Sequence, residues 1–149
     1  MASANQVHAS PGTAIINGKA YTIRPLTDTD YAELEAYVQD QHIAITRRNI
    51  EGLPAEQQQK LLEQAFDRAA QMQISSPQAL KLMMTPQGAI RMLWMAMRKD
   101  HPMLSLADVA ELVQKPDALK AAADMLADVE RRAMPKIPKR RAATRRRRR

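Results

Sequence analysis

Apolar and polar positions along the chain follow two rhythms, one short and one helical. Ala14 to Ile16 and Ala20 to Ile23 are β-prone runs that flank Asn17-Gly18, the dipeptide best suited to the positive φ angles of a two-residue hairpin turn. They predict a β-hairpin, and because a lone hairpin is marginal in water, its apolar face must lie on something else. After Pro25 the period lengthens. Thr27 with Asp30 three residues on has the form of a helix N-terminal cap, and Tyr31, Leu34, Val38, His42 and Ile45 then fall on one helical face. The pattern predicts a first helix running to about Ile50 and stopping at Gly52. Pro54 suits the opening of a second, whose Leu61, Leu62, Ala65, Phe66, Ala69 and Met72 form an apolar stripe.

Ser76-Pro77 and Thr85-Pro86 each place a capping hydroxyl before a proline, punctuating two further helices, a short one over 78–84 and another over about 87–99. The latter is the most apolar in the chain. Ile90, Leu93, Trp94 and Met97 share one face, Met92, Met95 and Ala96 occupy much of the other, and only Arg91 and Arg98 make a polar strip. A helix of this kind is either central to a core or half core and half partner surface. Ser105 caps a short helix with Leu106, Val109, Leu112 and Val113 inward, and Lys115-Pro116-Asp117 restarts one whose Leu119, Ala122, Met125, Leu126 and Val129 face the core. Together these elements predict a mainly α domain of five to six helices with an N-terminal hairpin, spanning 13–134. A flexible lead-in over 1–12 precedes it and a disordered basic tail over 135–149 follows.

Composition supports one domain: 149 residues, 45% hydrophobic and 26% charged, are ordinary globular proportions. The net charge of +7 is unevenly placed. Nine cations and no acid lie in 135–149, at Lys136, Lys139, Arg140, Arg141, Arg145, Arg146, Arg147, Arg148 and Arg149, whereas 1–134 carries 14 cations against 16 acids. The tail is a candidate polyanion contact whose affinity would fall steeply with salt, without aromatic residues to stack on bases. No membrane span is expected, since the longest apolar run, Met92 to Met97, is far short of the roughly 20 residues a bilayer needs. Met1 through Ser10 contains no apolar core of a secretory signal.

Catalytic chemistry is poorly supplied. With no cysteine there is no thiolate, disulfide or cysteine zinc site. His8, His42 and His101 lack the spacing that sets two imidazoles on one helical face, so no metal or cofactor is expected. His42 reads as a core or boundary residue, and Asp100-His101 as a local helix terminus. The four glycines, at 12, 18, 52 and 88, form no phosphate-cradling loop. Glu33 with Glu35 and Asp124 with Asp128 read as solvated helix faces. Six methionines, Met83, Met84, Met92, Met95, Met97 and Met103, are the remaining feature. Flexible thioethers repack against varied apolar partners, although they also fill cores. Leu93, Trp94 and Met97 are expected to anchor the fold, and Met84, Met92 and Met95 to reach a partner.

The run Ile16-Asn17-Gly18-Lys19-Ala20-Tyr21-Thr22-Ile23-Arg24-Pro25-Leu26-Thr27 leading to Asp30, and the segment Leu93-Trp94-Met95-Ala96-Met97-Arg98-Lys99-Asp100-His101-Pro102, followed by Leu104-Ser105-Leu106 and Val109 through Leu112, resemble the tail assembly chaperones of long-tailed bacteriophages. The likeness covers roughly 13–115. It implies a small, mainly helical, non-enzymatic protein of the host cell cytoplasm that shields hydrophobic helical segments of the tape measure protein. Such a protein helps recruit tail tube subunits and leaves before the particle is complete. A longer frameshifted product is common in such proteins. The terminal arginine run is not part of that pattern. The rival expectation is a nucleic-acid-associated structural or packaging protein acting through the tail; self-association is compatible with both.

Overall fold

The computed structural model describes residues 10–134. The chain is mainly helical, with six helices and an N-terminal two-stranded antiparallel hairpin. Strands β1 (Gly12–Ile16) and β2 (Lys19–Ile23) pair in the register Ile16 to Lys19, joined by Asn17 at φ 53° and Gly18 at φ 80°. Positive φ at both central residues matches the twist of the flanking strands, and Asn and Gly tolerate it best. Alternation places Ala14, Ile16, Tyr21 and Ile23 on the buried face. Order begins one residue earlier than the pattern suggests. Gly12 is already in β1, and a Cβ added there would lie 2.6 Å from Met125 Sδ and 2.7 Å from Val129 Cγ1, so glycine lets the strand approach the last helix.

Helix α1 (Asp28–Asn49) opens with the expected reciprocal cap: Asp30 N–H donates to Thr27 Oγ1 and Thr27 N–H to Asp30 Oδ2. Helix α2 (Ala55–Gln71) returns antiparallel to it after Pro54. Ser76 and Thr85 cap α3 (Pro77–Met83) and α4 (Pro86–Met97), each with proline at the first helical position, where its missing N–H costs nothing. Ser105 and Asp108 form a second capping box on α5 (Leu106–Leu112), and α6 (Pro116–Ala133) completes the domain.

Two apolar clusters share α4 between them. The first gathers the buried hairpin face, Leu93, Ala96 and Met97 of α4, Val109 and Val113, and Ala122, Leu126 and Val129 of α6. The second gathers Leu34 and Val38 of α1, Met72, Ala79, Met83, and Met95 from the other side of α4. Of the two roles open to an all-round apolar helix, α4 takes the central one. This corrects the partner-facing assignment of Met95, which is 4% exposed because α1 and α3 cover the side of α4 that faces away from the hairpin; Met92 keeps part of its surface in solvent while packing against both clusters. Trp94 is also half-buried rather than enclosed. Its Nε1–H donates to the Leu104 carbonyl at 3.1 Å, while the Arg98 guanidinium lies 5.0 Å from its ring centroid.

Candidate partner-binding surface

Met84, the third methionine expected to meet a partner, is where a partner could reach it. It caps the C-terminus of α3 and is 83% exposed, and Leu80, one turn earlier on the same helical face, is 48% exposed. The local reason is the length of α3. A seven-residue helix has room for one buried pair, here Ala79 and Met83, and Ser76-Pro77 at its start fixes the rotation that turns Leu80 and Met84 outward. Leu80 does not stand out in the sequence. The signal was its i,i+4 spacing to Met84, which periodicity alone could not distinguish from a second core-facing row.

The second helix supplies another departure. Phe66, part of the apolar stripe of α2, is 48% exposed. Helix α2 packs chiefly on α1, and the seam is made by Ala65 and Ala69, too narrow to cover the whole stripe.

The titratable groups that come together do so as joints between elements. Arg98 reaches from α4 to Asp30 at 2.5 Å and to both oxygens of Glu33 at 3.0 and 3.1 Å, so the buried capping carboxylate also ties α1 to α4. The Arg98 guanidinium is held above its ordinary value, first by its hydrogen bond to Glu33. Arg24 grips Asp100 with two bonds of 2.5 and 2.9 Å, and the hydrogen bond from Arg24 is the main cause holding the Asp100 carboxyl below the usual range. His101 Nε2 accepts the Thr22 backbone N–H at 3.0 Å, which places the ring proton on Nδ1. Glu130 accepts from Leu26 N–H at 2.7 Å and from the Tyr31 hydroxyl at 3.0 Å. Burial, and then the charge of Glu130, push the Tyr31 phenol up to about 12.

Each of these groups holds the hairpin, α1 or α6 in place. Among the described residues no buried side-chain polar atom lacks a hydrogen-bond partner, and no group of three His, Asp or Glu residues could hold a metal ion. Among the same residues no helix is long and apolar enough to cross a membrane. His42 is half-buried on α1, as a boundary residue should be. His8 and the basic set Lys136, Lys139, Arg140, Arg141 and Arg145 to Arg149 lie outside the described residues. Comparison of the chain with protein-family models, curated proteins and solved structures gives no match.

Proposed function

We propose that the protein is a non-enzymatic binding protein of the phage tail assembly chaperone type. In this reading it acts in the host cell cytoplasm, shields hydrophobic helical segments of a tape measure protein and helps bring tail tube subunits to it. The observation that carries this reading is the exposed pair Leu80 and Met84 on α3. Large apolar side chains set side by side in water favour an apolar partner, and an unbranched thioether conforms to partners of differing shape. The resemblance of the hairpin and of the segment around Trp94 to that family supplies the identity of the partner.

The test is co-expression with a tape measure fragment followed by capture. Leu80→Ser with Met84→Ser should abolish capture while leaving the melting temperature within about 2 °C of the parent, since exposed substitutions cost within about 0.5 kcal/mol. Normal capture by that variant would refute the reading.

Nine cations in the last 15 residues favour a second reading, a nucleic-acid-associated structural protein. Under it, removing 135–149 abolishes binding to random-sequence duplex and the α3 changes are silent. The parent's log affinity then falls against log salt with a slope of about −0.9 per phosphate neutralised.

A further inference from the structure

The outer half of the α1–α2 hairpin has little apolar support of its own. Ile50, Ala65 and Ala69 are buried there, yet none belongs to either of the two main clusters, and Val38 is the last α1 residue that does. Helices in proteins are held mostly by packing of an apolar face, and two small alanines supply little of it. One flank of this hairpin forms a concavity of about 450 Å³ lined by Asp40, Ile43, Ala44, Arg47 and Arg48 of α1 and by Phe66 of α2. Its middle is apolar and its two ends are oppositely charged. Asp40 sits at one end and Arg47 with Arg48 at the other, about 10 Å away along the helix by its rise per residue. None of the three joins an ion pair among the described residues.

That pattern is its own complement. If a second α1 runs antiparallel across the first, with the two-fold axis between Ile43 and Ala44, then Asp40 of each copy falls opposite Arg47 of the other and Ile43 opposite Ala44. Along α1 no like charges are set opposite one another, and Ala44 at the centre permits close approach of the helices. A two-fold interface requires such reciprocity, in which residue i meets j and j meets i. Two helical hairpins joined this way give a four-helix bundle, with Phe66 of each copy closing over the seam. We propose that the protein is a homodimer joined by antiparallel apposition of the outer α1–α2 hairpins across Asp40, Ile43, Ala44, Arg47 and Phe66. This surface is separate from Leu80 and Met84, and dimerisation does not depend on what α3 binds.

Sedimentation equilibrium and light scattering on the full chain test it. The parent should show twice the 16.8 kDa chain mass. Asp40→Arg alone and Arg47→Asp alone should each weaken the dimer by about tenfold or more, because each sets like charges opposite one another at both ends of the seam. The combined Asp40→Arg and Arg47→Asp chain, in which the attraction is restored with reversed sign, should return to the parental dissociation constant. Ala44→Glu, a helix-compatible change at an exposed position, should give a monomer with unchanged helical circular dichroism. A monomeric parent at about 100 μM, far above a micromolar dissociation constant, overturns the proposal. So does a dimer indifferent to Ala44→Glu, or a combined charge swap that fails to rescue. The Leu80→Ser, Met84→Ser chain should remain dimeric, and loss of its dimer would place the contact on α3 instead and overturn the proposal equally.

Discussion

Replacing Met95 by alanine separates a core methionine from a partner-facing one. Met95 is 4% exposed and shares its cluster with Leu34, Val38, Met72, Ala79 and Met83, which come from α1, α3 and the segment between α2 and α3. Truncation removes the burial of three heavy atoms and leaves a cavity that these neighbours fill only in part, a loss of about 2 to 5 kcal/mol. Taking about 3 kcal/mol, and a sensitivity of about 2 to 8 °C per kcal/mol for domains of this general size, the melting temperature should fall by roughly 10 °C. Met84→Ala, at 83% exposure, is the internal control and should stay within about 0.5 kcal/mol of the parent. Urea unfolding followed by circular dichroism measures both, with the slope of free energy against denaturant checking that the unfolded state is unchanged. Equal stability of the two variants would refute the packing of α4 between two clusters. So would a Met95→Ala chain that melts like the parent.

Four further outcomes follow from the geometry. Gly88→Ala should destabilise by about 1 to 3 kcal/mol, since its Cβ would lie 2.5 Å from the Met83 carbonyl oxygen. Gly18→Ala, which meets nothing within 4 Å, should lose only about 1 kcal/mol through its positive φ; thermal melts compare the two. His101→Ala should cost about 1 to 3 kcal/mol by leaving the Thr22 N–H without an acceptor, and His101→Gln, whose Oε1 can take the place of Nε2, should recover part of it in the same melts. For Tyr31, the folded phenol titrates above its unfolded value of 10.0, so its stabilising contribution is complete below pH 10 and is lost as pH rises toward about 12. Tyr31→Phe should remove that alkaline step from the stability profile.

Local features of the fold were legible in the sequence. Asn17-Gly18, Thr27 with Asp30, Ser76-Pro77, Thr85-Pro86 and Ser105 act over a few residues, and each turn or cap stands where its chemistry placed it. What the pattern left open was which apolar faces are covered, since that depends on elements far away in the chain. Met95 and Met84 look alike in sequence. The first is enclosed because α1 and α3 pack over α4, and the second is exposed because α3 ends there. Phe66 lies within a helical stripe that would be buried against a broad partner, but α1 covers only its alanine edge. The joint of Arg98 with Asp30 spans 68 positions and could not be read from spacing, although Arg98 was visible as one of the two polar residues on an apolar helix.

The contact of β1 with α6 also fixes an order of events during synthesis. The buried face of the hairpin rests on Val129 and its neighbours, and Glu130 fastens Leu26 across 104 positions of chain. At roughly 5 to 20 residues per second, the ribosome takes about 5 to 20 s to make that stretch after the hairpin has been translated. The cluster of Leu34, Val38, Met72, Ala79, Met83 and Met95 needs nothing beyond residue 95, so it can close before α6 is free to pack. Ile16, Tyr21 and Ile23 can meet Leu93, Ala96 and Met97 of α4 earlier, but their cover is incomplete until Ala122, Leu126 and Val129 of α6 arrive. A premature stop within α6 would therefore release a chain with a formed second cluster and an incompletely covered, β-prone N-terminus, a species exposed to strand-by-strand aggregation.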